Sequence, residues 1–180
     1  MYVEDPFFMA VKKRRLDVLR RLLDRYNKYG WNCLHVAVVF DDYCMVRTLQ
    51  HKVPLYGSQK DHEGRTPLDL AFFKCNAKIV KLLLEFGCLT KYTMSGTLLG
   101  HCVVSSCVID ERKSKTEDWI SILDGMLLRR VFDPKAKDNK GRTAYDLSRS
   151  YGIFDARFGF SLRGKVYDEK NACSILCSAE

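Results

Sequence analysis

Apolar residues recur along this chain in short helical periods, each introduced by a polar turn that carries a glycine. The clearest stretch runs from Asp61 to Gly87. Asp61-His62-Glu63-Gly64-Arg65 is polar, Thr66-Pro67 can open a helix, and Leu68-Asp69-Leu70-Ala71 supplies its buried face. Proline suits that place because the first helical turn has no intrahelical use for its N–H. Lys78-Ile79-Val80-Lys81-Leu82-Leu83-Leu84-Glu85-Phe86 follows as a second amphipathic helix. Gly87 suits its C-terminal cap, where a left-handed residue is favoured. The pattern predicts a turn, a helix, a turn and a helix.

The same pattern recurs. In the frame Gly-x-Thr-Pro-Leu-x-x-Ala, Gly64 to Ala71 and Gly30-Trp31-Asn32-Cys33-Leu34-His35-Val36-Ala37 stand 34 residues apart. The frame returns at Gly141-Arg142-Thr143-Ala144-Tyr145-Asp146-Leu147-Ser148, with serine in place of the alanine. It is worn at Ser95-Gly96-Thr97-Leu98-Leu99-Gly100-His101-Cys102, and Asp5-Pro6-Phe7-Phe8-Met9-Ala10 holds only its helical half. In the second helices, Leu19 and Leu22, Val46 and Leu49, and Val80 and Leu83 form one buried stripe. The small residue that ends the frame lets two helices approach closely. No repeat can cover its own apolar face, so neighbours must stack.

These residues resemble the ankyrin repeat family. Asp61-x-x-Gly64-x-Thr66-Pro67-Leu68, Asn27-x-x-Gly30 with Leu34-His35-x-Ala37, and Asp138-x-x-Gly141-x-Thr143-Ala144 carry the resemblance. It covers residues 4 to 152 as about five repeats, two of them strong matches. It implies an all-α ankyrin-repeat solenoid of stacked helix-turn-helix units with short β-hairpin connections. Residues 1–152 read as the repeat domain and 153–180 as a C-terminal cap and tail, with Phe154, Phe158 and Phe160 folding back on the last repeat. Cys102 and Ser148 stand 46 residues apart, so the fourth repeat holds an insertion. A solvated loop is expected at about 105–118, around the charged run Asp110 to Asp118, with helix resuming at Trp119.

Composition narrows the function. The 180 residues hold 30 Lys and Arg against 22 Asp and Glu, a formal charge of +8, which favours acidic partners. No apolar run is long enough for a membrane span, and the first residues lack the layout of a secretory signal. Of the eight cysteines, Cys33, Cys75, Cys88 and Cys102 fall on frame positions and read as small, reduced core fillers. A reducing compartment follows, the cytoplasm with the nucleus as a second location. His101, Cys102 and Cys107 fit no zinc spacing. No phosphate loop, dinucleotide fingerprint or nucleophile elbow is present. The expectation is a chain that is not an enzyme and needs no cofactor or metal.

The resemblance also implies roles. His35 would tie adjacent turns together, and Asp69 and Asp146, at the same frame position, would make contacts of the same kind. Partners would meet the turn tips and the exposed side of the first helices. The tips bear Lys28, Tyr29 and Trp31, then His62, Glu63 and Arg65, then Lys140 and Arg142; the first helices bear Lys12 and Lys13, Phe40, and Phe73 and Lys74. Trp31 is expected as an exposed anchor. Aromatic residues among basic ones suit an acidic, partly apolar protein segment. The expected function is non-catalytic recognition by a monomer acting as scaffold, adaptor or masking inhibitor of a signalling protein. Two alternatives stand beside it. One is a substrate-recognition adaptor of a multi-subunit enzyme such as a ubiquitin ligase. The other is nucleic-acid binding through the basic face.

Overall fold

The computed structural model describes residues 9, 10, 13, 15, 17, 18, 25–49, 56–88, 99–109, 116–128, 131–152, 159 and 162. The expected roles of Lys12, of Phe154, Phe158 and Phe160, and of the run 110–115 lie outside these residues. The chain divides into two units, Met1–Thr97 and Leu98–Glu180. Among the described residues the secondary structure is helical, and the only β-type pairing is an isolated bridge between Lys137 and Thr143. The architecture is all-α, as an ankyrin-repeat fold requires.

The N-terminal unit contains α1 (Cys33–Val39), α2 (Tyr43–Thr48), α3 (Pro67–Phe73) and α4 (Ala77–Glu85). Helix α1 packs on α2 and α3 on α4 within a repeat; α1 packs on α3 and α2 on α4 between repeats. The core follows the sequence frame. Leu34, Ala37, Val46, Leu68, Ala71, Ile79, Val80 and Leu83 are all buried. At each helix start a side chain satisfies backbone N–H groups that have no intrahelical partner. Asn32 and Thr66 close capping boxes with His35 and Asp69, and Asp42 and Asn76 cap α2 and α4. The inter-helix turns use a left-handed residue, Asp41 at φ 62° and Cys75 at φ 53°. Cys75 is therefore not the core filler expected from sequence. It occupies a turn position that suits glycine, because a Cβ is strained there. Cys75→Gly should raise stability by about 1 kcal/mol, read from the midpoint of denaturant unfolding.

The C-terminal unit contains α5 (Leu99–Ile109), α6 (Thr116–Leu128) and α7 (Ala144–Ser150), with α5 packed on both of the others. Helix α5 runs through Ile109 and α6 starts at Thr116, so both ends of the expected loop at 105–118 are helical. The fourth frame also shifts by one residue. His101 makes the cross-repeat bond that His35 makes, and Val103, not Cys102, is the fully buried residue two positions on, where Ala37 follows His35. In that register Gly100 takes the place of Leu34 and Leu68. Phe132 fills the space, since a Cβ built on Gly100 would overlap its ring.

Candidate functional site

Three turns share one construction. Asn27, Asp61 and Asp138 each donate a backbone N–H to the carbonyl four residues on, at Trp31, Arg65 and Arg142. Their carbonyls accept from Gly30, Gly64 and Gly141 at 2.9, 2.9 and 3.0 Å. Their side-chain Oδ1 atoms accept from the backbone two and four residues on, at 2.8 to 3.0 Å. The glycines sit at φ +75°, +79° and +75°, a region that costs other residues energy. This is why an Asn or Asp and a glycine recur three residues apart.

The residue after the glycine then decides what each tip offers. Arg65 donates Nε to Asp61 Oδ2 at 2.8 Å and pairs with Glu63 at 2.7 Å. Arg142 binds Asp138 Oδ2 through Nε at 3.0 Å and a terminal nitrogen at 2.9 Å. Trp31 instead reaches into the next repeat, where its indole Nε1–H donates to Asp61 Oδ2 at 3.0 Å. Asp61 thus receives four hydrogen bonds and joins two repeats. Burial alone would push its carboxyl up, but the Arg65 backbone N–H, its guanidinium and the Trp31 indole hold it below its ordinary value. At half-buried Asp138 the Arg142 backbone N–H leads in lowering the carboxyl to about 2.

Trp31 is a correction to the sequence reading. It is only 6% exposed, tilted against the Tyr29 ring with centroids 5.1 Å apart and tied to Asp61, so it is a strut between repeats and not an exposed anchor. Arg65 is likewise largely committed within the fold. Around these two the structure gathers Lys28, whose ammonium lies over the Tyr29 ring at 5.2 Å, and His62, whose N–H donates to the Tyr29 carbonyl at 3.0 Å. A Cβ on Gly30 would come within 2.6 Å of the His62 ring, so that turn is packed closely against the next. Lys28, His62 and Glu63 remain exposed. On the first helices Phe40 and Lys74 are half-buried and Phe73 is 81% exposed. Lys13 is exposed. Lys140 is exposed and Arg142 half-buried, both in the C-terminal unit.

The histidines divide the work differently from the aspartates. His35 Nε2 lies 3.1 Å from the Arg65 carbonyl and His101 Nε2 lies 2.8 Å from that of Arg142. A carbonyl only accepts, so the ring proton is on Nε2 and each histidine ties one repeat to the next turn. Asp69 and Asp146 make no such tie. Each accepts from the Thr66 or Thr143 backbone N–H and hydroxyl, closing its own helix start. His101 is thereby engaged in the fold, which removes it from the His101, Cys102 and Cys107 grouping. Cys33 and Cys88 are buried as expected of core thiols, and burial pushes Cys88 up to about 12. Cys44 is exposed, and Cys75, Cys102 and Cys107 are half-buried.

Burial lowers His35 to about 4 from the ordinary 6.5. Below 6.5 the unfolded chain takes up a proton that the folded chain refuses, so stability falls as pH drops from 6.5 to 4. The loss approaches about 3 kcal/mol at the lower end. His35→Gln should flatten that slope in urea unfolding followed across this window; an unchanged slope would remove His35 as its source.

A stacked helix pair, capped by Thr-Pro and opened by an Asp-x-x-Gly turn, is now in view. Residues 63–91 match the ankyrin repeat family. The matched ankyrin repeat takes in Glu63, Arg65, α3 and α4, the best-formed copy of the frame. Ankyrin repeats are non-catalytic protein–protein interaction modules. No curated protein matches the chain. No helix among the described residues is long and apolar enough to cross a membrane.

Proposed function

We propose that the chain is a protein-recognition module that meets its partner at the exposed C-terminal end of α3. One observation carries this reading. The buried face of α3 is fully used in stacking, yet its last residue, Phe73, stands 81% exposed beside the basic Lys74. An exposed aromatic flanked by a cation suits an acidic or mixed segment of a partner, which would gain from covering the ring. Scaffold, adaptor or masking inhibitor are the roles that such a surface serves, and presenting substrates to a ubiquitin ligase is one form of the adaptor role.

The test must avoid the struts. Altering Trp31 or Arg65 would disturb the fold and the surface together. Phe73→Ala should weaken partner binding by about 1.5–3 kcal/mol, the worth of burying that ring, with the melting temperature unchanged. Affinity capture identifies the partner, and isothermal titration of wild type against Phe73→Ala and Lys74→Glu measures the loss. Equal affinities in all three would exclude this surface. A nucleic-acid reading draws on exposed Lys135, Lys137 and Lys140 in the C-terminal unit. A gel shift at physiological salt with Lys137→Glu and Lys140→Glu decides it.

A further inference from the structure

The N-terminal unit carries a second surface, on the side formed by its second helices. Helices α2 and α4 pack side by side, and an open groove of about 650 Å³ is lined by Tyr43, Lys78, Lys81, Leu82 and Glu85. That volume falls within the range of ordinary ligand sites. Its apolar lining is Tyr43, 39% exposed, over the buried Leu82, 5% exposed. Lys78 and Lys81 stand exposed at the rim, and Arg47 lies one helical turn from Tyr43 on α2. Among the described residues none of these three cations has an ion-pair partner.

The stacking of repeats does not call for this arrangement. The face of α4 that holds the core uses Ile79, Val80 and Leu83, all fully buried. Lysines on a surface helix usually serve solubility, but here they border an apolar floor. Two lysines and a single carboxylate, Glu85, line the groove, and Arg47 stands exposed on the neighbouring helix one turn from Tyr43. A phosphate backbone needs an unbroken cationic track, and Glu85 interrupts it. A peptide can place a neutral residue at that point.

We propose that this groove takes an acidic segment of a partner protein. A large apolar side chain would sit against Tyr43 and Leu82, with carboxylates beside Lys78, Lys81 and Arg47. The surface is separate from the exposed end of α3 and does not rest on the role given to Phe73.

The probe is a fluorescein-labelled peptide of alternating Glu and Gly around a central Leu-Trp pair, titrated into the full chain and followed by anisotropy. Saturable binding is expected, with amide shifts in ¹H–¹⁵N spectra centred on α2 and α4. Lys78→Glu with Lys81→Glu should weaken it at least about tenfold, with the melting temperature unchanged. A peptide with Gly-Gly in place of Leu-Trp should weaken to a similar degree. Absence of binding at millimolar peptide overturns the proposal. So do shifts centred on Phe73 and Lys74, or an unchanged affinity in the charge-reversed variant. Equal competition by oligo-dT or by phosphatidylserine vesicles also overturns it, since charge alone would then suffice.

Discussion

Asp61→Ala should lower the unfolding free energy by about 2–4 kcal/mol, a large part of what a domain of this size holds. The side chain is buried and accepts from the Glu63 and Arg65 backbones, the Arg65 guanidinium and the Trp31 indole. Removing it breaks the indole bond that joins two repeats and leaves the Arg65 guanidinium paired with Glu63. Asp61→Asn should fall between wild type and alanine. Asn27 shows why: its Oδ1 supports the turn, while its Nδ2 has no partner. An asparagine at 61 would hold the turn but present a donor to two donors. Because the carboxylate titrates below its ordinary value, its contribution is present above the unfolded pKa and is lost as pH falls through the folded one. Guanidinium unfolding by circular dichroism measures the effect. An alanine variant whose midpoint matches wild type would show that the network carries no stability.

The pair Gly100 and Phe132 should give the second large effect. Phe132→Ala removes the ring that occupies the place of a frame leucine, and should cost about 3–5 kcal/mol. Gly100→Leu restores the residue found at Leu34 and Leu68, yet should destabilise by about 1–3 kcal/mol, because the new side chain meets that ring. Together the two changes should cost less than their sum, by about 1 kcal/mol or more, since each relieves the other. Strict additivity in a double-mutant cycle would show that the two sites do not share the space.

The repeat frame was legible in the chain because stacking imposes it locally. A glycine must take a positive φ, a Thr or Asn must cap, and a small residue must sit where helices approach. Each requirement depends on residues a few positions apart, so it appears as a spacing. The worn fourth repeat misled by one residue for the same reason. Its leucine is missing, and the compensating Phe132 lies thirty-two positions away, with no pattern to connect them. The cysteines were legible only in part. Cys33 and Cys88 are buried, while Cys75 answers to a backbone conformation and not to a core.

The candidate surface was less legible than the fold. Composition marked Trp31 as an anchor because tryptophan at a turn tip looks idle. Its use depends on Asp61, thirty residues on, which accepts the indole N–H. His62, Glu63, Lys28 and Phe73 were named from sequence and are exposed, yet nothing local separated them from Arg65 and Trp31. The Tyr43, Lys78 and Lys81 groove was missed, since its two walls come from different repeats. The sequence by itself determined the repeating helices, their caps and their buried stripe, because those depend on near neighbours and on helical period. Only the tertiary structure decided which polar and aromatic side chains hold one repeat to the next and which are left for a partner, because that depends on what the next repeat places opposite each of them.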